Sequence, residues 1–456
     1  AGLGPRALGL SQAYTAQARG PESVFWNPAN LGLSGNSRYA WQLLGFGLSL
    51  ATENNAWSVD TYNGNVTGAN RRVSPAGGKC YLSQRSKEAL LADVPGSGLK
   101  VDIEVEPMVA IGVPVNGGVA FPLPWGLQSA LAVGLTSGLE GQVPKDVVEL
   151  ALLGSEFAQE RVAAGKREGY DIAQWDGSGW VVGSLNWALA RAWMPRSLAP
   201  HLGEFAVGAT AKLTGGYYAE VLDSGGAGIV VRDGGAEVDA YLLTQRAYGM
   251  GAGLDFGVAG STRDGRTTLS LGLLNALDFL SWGIAPRQDS VSVVADALLL
   301  ARVLDPDALS IRDITDNEDV DGDGDTDFHV RLSERSFSRS LPAMLRAGVA
   351  RRWSPRLTLV GAYDQAFSAG FGLTTRPRLA GGAEYRLVPW LPARFGLSLG
   401  GRWRRGSSFG FSIGPVAAGR VDLTFVDVAL TMRGGVLPGV SKGTAVSVRL
   451  FEACLH

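Results

Sequence analysis

The stretch ARFGLSLGGRW, residues 393–403, alternates large apolar side chains with small or polar ones. Phe395, Leu397 and Leu399 fall on one face of an extended chain. The other face carries Arg394, Gly396, Ser398 and Gly400. The same alternation recurs in SFGFSIG (408–414) and in TAVSVRLF (444–451). This period of two residues predicts β-strands that each have one apolar face.

Alternation of this kind runs through most of the chain. Further candidate strands are 37–50, 101–113, 129–136, 180–193, 204–216, 246–259, 266–275, 345–353, 356–364, 379–387 and 420–432. They give about fourteen strands, each near the length of about nine to eleven residues that a tilted strand needs to cross a bilayer. A soluble sandwich also alternates, so the pattern alone leaves a sandwich and a membrane barrel open.

The composition excludes several classes of protein. The 456 residues are 46% hydrophobic and only 18% charged, with 63 glycines spread along the chain and no linker that divides it. A net charge of -2 without a dense basic run gives no basis for binding nucleic acid or anionic lipid. No run of 18 uncharged apolar residues exists, which excludes helical membrane spans.

The first residue indicates an exported protein, whereas the two cysteines leave the redox compartment open. The chain begins with Ala1 rather than Met, so we expect that an export signal peptide has been removed. Cys80 and Cys454 lie far apart in sequence. They could pair in an oxidising compartment, although two unpaired thiols are the favoured reading.

Tryptophan placement favours the membrane barrel. Four tryptophans lie within two residues of a proline at a strand end: Trp125, Trp193, Trp353 and Trp390. Indole rings prefer the headgroup level of a bilayer, so tryptophans beside short turns are typical of an aromatic girdle. Tryptophans that merely cap ordinary hairpins are the alternative.

The lengths of the connections between strands also favour the membrane barrel. Connections such as 354–357 and 388–393 are tight, whereas 52–100, 137–179 and 276–344 are long and rich in acidic residues. Short periplasmic turns and long outer loops are typical of transmembrane barrels. Within the long connections, 145–165 and 86–94 have helical patterns. We therefore predict an all-β fold, a transmembrane antiparallel β-barrel whose long outer loops contain short helices.

The stretch NEDVDGDGDTDFHV, residues 317–330, is the sharpest candidate metal site. Carboxylates at alternate positions followed by glycine match the opening of a calcium loop. The candidate ligands are Asp319, Asp321, Asp323, Asp325 and Asp327. Val330 stands where an EF-hand has its bidentate glutamate, so a structural calcium site of another type is one reading, and a solvated acidic loop is the other.

No stretch of the sequence builds an enzyme active site. GSSFG (406–410) fits the Gly-x-Ser-x-Gly pattern, but it opens an alternating strand rather than a strand-to-helix turn. GMGAGLDFG (249–257) has the glycines of a dinucleotide loop without the helix that must follow. The three histidines are scattered and lack metal-ligand spacing. We predict a protein that is not an enzyme, with no catalytic residues and no cofactor apart from the candidate calcium.

The stretch GPESVFWNPANLGLS, residues 20–34, is neither strand nor long helix. Phe25 and Trp26 precede Asn27 and Pro28, and a residue before proline is pushed toward extended geometry. The stretch therefore predicts a compact turn anchored by aromatic residues. Glycines that oppose the apolar rows, such as Gly396 and Gly410, mark places where another backbone can come close. Two more glycines, Gly400 and Gly414, also lie opposite the apolar rows.

Stretches along nearly the whole chain resemble the long-chain fatty-acid outer-membrane transporter superfamily, the FadL-like barrels, which also include PorV-like accessory barrels of a bacterial secretion system. The stretches are GPRALGLSQAYTAQARGPESVFWNPANLGLS (4–34), DVPGSGLKVD (93–102), FAVGATAKLTGG (205–216), LRAGVARRWSPRLTLVGAYDQAF (345–367), AGGAEYRLVPWLPARFGLSLGG (380–401) and LPGVSKGTAVSVRL (437–450). The nearest branch is one whose function is not established.

The resemblance implies a barrel of fourteen strands in the bacterial outer membrane, plugged from inside by its amino-terminal segment. That segment, the hatch, would be residues 1–36, and the barrel with its long loops would be residues 37–456. Asn27, Pro28 and Ala29 would match the hatch turn of the superfamily, with Phe25 and Trp26 as its anchors. Irregular backbone is tolerated there because protein or water surrounds it.

Three functional hypotheses follow. The leading one is passive transport of a hydrophobic, fatty-acid-like small molecule across the outer membrane. The second is a non-transporting PorV-like barrel that anchors secreted or surface proteins in an envelope complex through its outer loops. A soluble all-β binding protein is the third and weakest.

Overall fold

The computed structural model is a β-barrel. It describes residues 4–65, 82–154, 157, 160–161, 164–166, 170, 175–224, 228–232, 235–298 and 328–455. The strands are β1 Ala40–Asn54, β2 Leu99–Ile111, β3 Val113–Val115, β4 Gly117–Leu123, β5 Leu127–Val143, β6 Asp176–Ala192, β7 Leu202–Asp223, β8 Gly228–Arg232, β9 Gly235–Thr262, β10 Thr267–Asp278, β11 Ser281–Leu298, β12 Phe328–Ser333, β13 Phe337–Ser338, β14 Met344–Arg352, β15 Leu357–Ala366, β16 Arg378–Val388, β17 Leu391–Gly400, β18 Arg405–Ile413, β19 Val416–Ala418, β20 Val421–Arg433 and β21 Gly443–Leu455.

The strands form one sheet that closes on itself. Adjacent strands of the wall pair antiparallel apart from one parallel β3–β5 pair, and the last strand, β21, pairs with β1 from Trp41↔Leu455 to Glu53↔Gly443. Some segments are pieces of one interrupted strand. For example, β10 pairs with residues 253–261 of β9, and β11 continues the same strand along residues 236–250 of β9. With such pieces joined, the barrel agrees with the prediction of about fourteen strands. Closure leaves no free sheet edge, which a membrane requires.

The apolar rows face outward. Phe395, Leu397 and Leu399 of β17 are all exposed, while Arg394 and Ser398 between them are buried. The apolar rows of β18 and β21 likewise lie on the outside of the barrel. A soluble sandwich would bury these rows against a second sheet, so that alternative is wrong. Exposed apolar rows on a closed barrel are the lipid-facing surface of a transmembrane β-barrel.

The two ends of the barrel differ as predicted. The turns 124–126, 193–201, 263–266, 353–356, 389–390 and 419–420 lie at one end. All four predicted girdle tryptophans lie at this end and are exposed, as an aromatic girdle requires. The other end carries the connections 55–98 and 144–175, with helices α2 Val59–Asn65, α3 Gln84–Asp93 and α4 Lys145–Leu153.

The structure corrects the bounds of the predicted long loops. β11 and β12 occupy 281–298 and 328–333, inside the predicted connection 276–344. Likewise β5 continues to Val143 and β6 begins at Asp176, inside the predicted connection 137–179. The reason is that paired strands extend beyond the hydrocarbon, where polar residues on both faces no longer give an alternating pattern. For 52–100, β1 ends at Asn54 and β2 begins at Leu99.

Residues 4–36, the described part of the hatch, fill the lumen. They form helix α1 Pro5–Gly9 and two 3₁₀ helices, Gly20–Phe25 and Pro28–Gly32. α1 packs against β17, β18, β20 and β21, whereas the 3₁₀ helices pack against β4 to β7, β9 and β10. Because these strands belong to opposite walls, the hatch lies across the inside of the barrel. Most of its side chains are buried there, which makes it the core of the molecule.

Candidate functional site

The hatch turn has the local geometry that its sequence predicts. Pro28 is the first residue of the second 3₁₀ helix, where a missing N–H costs nothing. The Asn27 side chain caps this helix: its Oδ1 accepts a hydrogen bond from the Ala29 backbone N–H at 2.9 Å. Asn27, Pro28 and Ala29 are all buried. The Asn-Pro-Ala turn is therefore a fixed structure rather than a loose loop.

Two buried asparagines tie this turn to the barrel wall. Asn27 Nδ2 donates to Val258 O at 2.9 Å and to Ser270 Oγ at 2.6 Å. Ser270 Oγ donates in turn to Asn30 Oδ1 at 3.0 Å, and Asn30 Nδ2 donates to Thr15 O at 2.7 Å. Both asparagines are 0% exposed. Removing either would leave buried polar groups without partners, which is costly.

Trp26 is the aromatic anchor of the hatch. It is 4% exposed, and the Tyr14 ring meets it edge-on with centroids 5.4 Å apart. The Arg346 guanidinium carbon lies 4.4 Å from the Trp26 ring centroid, a cation–π contact. Phe25, the other predicted anchor, differs because its side chain is only partly buried.

Wall glycines let the hatch backbone come close. A Cβ on Gly208 would lie 2.6 Å from Ala29 N, and one on Gly348 would lie 2.8 Å from Ala16 N. The close approach expected at Gly396 and Gly410 is present, since hatch residues 9–11 lie against both. At Gly400 and Gly414 another backbone also comes close, but it belongs to the barrel wall rather than to the hatch. These two glycines meet the Pro377–Arg378 and Leu423–Thr424 backbones, because each lies where a strand ends and turns.

Substituting Gly208 tests this seating. We expect Gly208→Ala to push the hatch turn off the wall, because the new methyl group overlaps the Pro28–Ala29 backbone. Overpacking of this kind costs about 1–3 kcal/mol. The measurement is protease cleavage within residues 20–34 of the folded barrel. Gly183→Ala is the matched control, since its Cβ would have only ordinary contacts of 3.8 Å or more. Equal cleavage in the two variants would contradict the seating.

Charged groups buried in the lumen also hold the hatch. Arg378 donates to Ser11 O and forms an ion pair with Asp364 at 2.9 Å. Arg449 lies 3.6 Å from Glu22 of the hatch. Burial by itself would raise the pKa of Glu22, but Arg449 and Arg6 outweigh it and hold that pKa below its ordinary value. The carboxylate therefore stays charged and attached to the wall.

A cavity of about 230 Å³ with a mixed apolar and polar lining, the upper cavity, lies between the hatch and the outer end of the barrel. Its apolar lining includes Val24, Phe25, Trp180, Val182, Leu274, Met344 and Phe371. Phe371 belongs to the connection 367–377, which folds inward: its ring lies 5.9 Å from Trp180, and Gly372 N donates to Glu140 Oε1 at 3.0 Å. The connection thus forms part of the roof of the upper cavity.

Further cavities adjoin the upper one, including one of about 80 Å³ beside Asp364 and Arg378. A lower cavity of about 50 Å³ lies among hatch and wall residues that include Tyr14, Trp26, Met108 and Asn116. Toward the outer rim, a polar cavity of about 810 Å³ shares Leu373 and Trp403 with the upper cavity. The polar, upper and lower cavities lie in series from the rim to the hatch.

The barrel wall is interrupted beside the lower cavity. β2 pairs with β5 only from Leu99↔Val143 to Val105↔Ser137, and β4 pairs with β5 only up to Val133. The Asn116 side chain bridges the gap: it donates to Pro107 O at 2.6 Å and to Leu135 O at 2.7 Å, and accepts from Leu135 N at 2.9 Å. A side chain thus replaces several ladder hydrogen bonds.

The remaining sequence motifs do not form a catalytic or metal site in the described part of the chain. Ser408 of GSSFG lies on β18 and donates to Gly9 O at 3.1 Å, so it serves the hatch. No group of three or more potential metal ligands occurs among the described residues. The five candidate calcium ligands and Cys80 lie outside the described residues. The calcium site therefore stays a prediction. Proteolysis of residues 317–330 with and without a calcium chelator would test it. None of the described helices has the length and hydropathy of a membrane span.

Sequence comparison finds no relative, and structural comparison finds several. No family model and no curated protein matches the chain. A FadL homologue from Pseudomonas aeruginosa has a TM-score of 0.50 at 13% identity, covering 99% of this chain and 98% of that one. The P. putida toluene transporter TodX has a TM-score of 0.50 at 11% identity, covering 98% and 96%. A deltaS2S3 mutant of the TodX monoaromatic hydrocarbon channel has a TM-score of 0.53 at 10% identity, covering 99% of both chains. At these identities the likeness shows the fold alone.

Proposed function

We propose that this chain, a bacterial outer-membrane β-barrel with the FadL-like fold, is a passive channel for small hydrophobic molecules. The observation that carries the proposal is the upper cavity, a space directly above the hatch that is lined by a cluster of aromatic and aliphatic side chains together with polar and charged ones. Apolar cavities with a few polar groups are the usual form of small-molecule sites. The toluene transporter and the monoaromatic hydrocarbon channel among the structural neighbours support the same class of ligand.

The size of the upper cavity favours a compact ligand. An apolar cavity of about 150 Å³ is large enough to hold benzene. At about 230 Å³, the upper cavity suits a molecule with one substituted ring. An extended long acyl chain would have to reach into a neighbouring cavity as well.

The charges around the upper cavity favour an uncharged ligand over a fatty acid. Lys212 is already bound to Asp255 at 2.7 Å and to Asn275 Oδ1 at 2.9 Å. Arg346 lies over Trp26 and 3.7 Å from Asp364. A ligand carboxylate would have to compete with these partners for each cation. We therefore propose neutral monoaromatic compounds ahead of fatty acids.

The alternative function, anchoring of a secreted or surface protein, uses different parts of the molecule. It needs a docking surface on the outer connections and has no use for an apolar cavity in the lumen. The upper cavity is the observation that places transport first.

Filling the cavity tests the proposal. Val182 lines the upper cavity, whereas its neighbour Val181 faces outward and is exposed. We expect Val182→Trp to lower uptake of radiolabelled toluene several-fold in cells that depend on this protein for entry, because the indole occupies the ligand space. Val181→Trp is the matched control and should transport like the unmodified protein.

The comparison is valid only for folded barrels, which heat-dependent migration in detergent gels verifies. Unchanged uptake by folded Val182→Trp would rule out the upper cavity as the route. Uptake no higher than in cells without the protein would rule out transport itself.

A further inference from the structure

The upper and lower cavities share a single partition. Of all their lining residues, only Phe25 of the hatch and Glu106 of β2 belong to both cavities. The partition stands beside the wall interruption, because Gly134 and Asn116 line the two cavities there. A ligand that moves from one cavity to the other must therefore pass between the Phe25 ring and Glu106.

Phe25 is held differently from its neighbours in the hatch. Trp26 and Asn27 are fixed by the Arg346 cation and by hydrogen bonds to the wall. The backbone at Phe25 is fixed as well, since Arg346 donates to its carbonyl oxygen at 3.4 Å. The ring itself packs against the hydrophobic clusters on either side, and a phenyl ring has no hydrogen-bonding group that could fix it. It can turn without breaking a hydrogen bond.

The absence of a side chain at residue 134 lets this ring lie close to the wall. A Cβ on Gly134 would lie 3.1 Å from Phe25 Cε1. The ring therefore packs directly on the β5 backbone, in the gap that Asn116 bridges. Any increase in size on either side of this contact narrows the passage.

We propose that the Phe25 ring is the gate between the two cavities and that it opens by side-chain rotation while the hatch backbone stays docked. The inference rests on the proposed transport function and adds a specific moving part to it. The alternative, displacement of the whole hatch, would break the buried hydrogen bonds of Asn27 and Asn30 and the Arg378–Ser11 contact. Rotation of one aromatic ring breaks none of them, so it is the easier opening.

A hatch fixed by a disulfide separates the two mechanisms. Ser11 Oγ and Ser408 Oγ are 2.8 Å apart, so cysteines at these positions are placed for a disulfide after small adjustments. The two native cysteines are replaced in this variant, by Cys80→Ser and Cys454→Ser, so that no other disulfide can form. We expect the oxidised, locked barrel to retain toluene uptake. Uptake that appears only after the disulfide is reduced would overturn the proposal and leave transport by hatch displacement.

Substitutions at Phe25 in the locked barrel test the gate itself. We expect Phe25→Ala to raise toluene uptake several-fold and Phe25→Trp to lower it. If the Phe25→Ala barrel fails to fold, Phe25→Leu is a second variant that widens the passage. Phe395→Ala removes a ring that faces lipid instead and should leave uptake unchanged. Uptake that is the same across folded Phe25 variants would refute the gate, whereas absence of uptake in the unmodified protein would refute the proposed function.

Discussion

Deletion of residues 20–34 should convert the closed barrel into an ion-conducting pore. This segment carries both 3₁₀ helices of the hatch, the part that packs against β4 to β7, β9 and β10. Barrels of about eight strands are filled by their own side chains, whereas those of about sixteen leave an aqueous channel. A barrel of about fourteen strands that loses this part of its plug is therefore expected to leave room for hydrated ions beside residues 4–19. The measurement is conductance of single barrels in planar bilayers.

The control deletion removes helix α3, Gln84–Asp93, which lies in an outer connection. It should leave the conductance at the low level of the unmodified protein. If the barrel without residues 20–34 folds but conducts no more than the α3 deletion, the hatch does not plug the lumen.

Replacing Arg394 should destabilise the barrel more than any other single substitution discussed above. Its side chain is 0% exposed and binds Glu384 at 2.9 Å and Asp427 at 2.8 Å. Arg394→Met would leave two buried carboxylates without their cation. Removing one partner of a buried ion pair costs about 3–5 kcal/mol. The measurement is the free energy of unfolding by guanidinium chloride of the barrel embedded in lipid vesicles.

A control variant and a compensating variant separate the effect of the lost charge from the effect of the lost packing. Arg386 lies 3.9 Å from the same Glu384 but is mostly exposed, so Arg386→Met should cost no more than about 1 kcal/mol. Adding Glu384→Gln and Asp427→Asn to Arg394→Met should restore much of the lost stability, because no unpaired charge remains. Equal losses for the two arginine variants would contradict the buried network.

Local patterns in the sequence predict the wall and the hatch turn well. Alternation identifies which residues of β17 face lipid because a strand fixes the side of every second residue. The capped turn at Asn27 and Pro28 is also local, since its hydrogen bond spans two residues. The close approach at Gly396 and Gly410 follows from the same alternation combined with the resemblance to plugged barrels.

Features that depend on how strands meet could not be predicted. Arg394, Glu384 and Asp427 lie on three strands, and only the strand register brings them together. Their one signal in the sequence is charge at lumen-facing positions of otherwise apolar strands. Asn116 gave no signal, because its role depends on where β2 and β4 leave β5. The cavities likewise arise from the packing of the hatch against walls that are distant in sequence.

Spin labels along β17 and β18 give the most direct test of the central claim, that the apolar rows contact lipid and the opposite rows face the plugged lumen. Labels replace the outward residues Leu397, Leu399 and Phe409 and the inward residues Ser398 and Ser412, one at a time. In lipid vesicles we expect outward labels to collide often with membrane-dissolved oxygen and inward labels to collide rarely. Collision rates that show no alternation, or that are higher at Ser398 and Ser412, would contradict the membrane barrel.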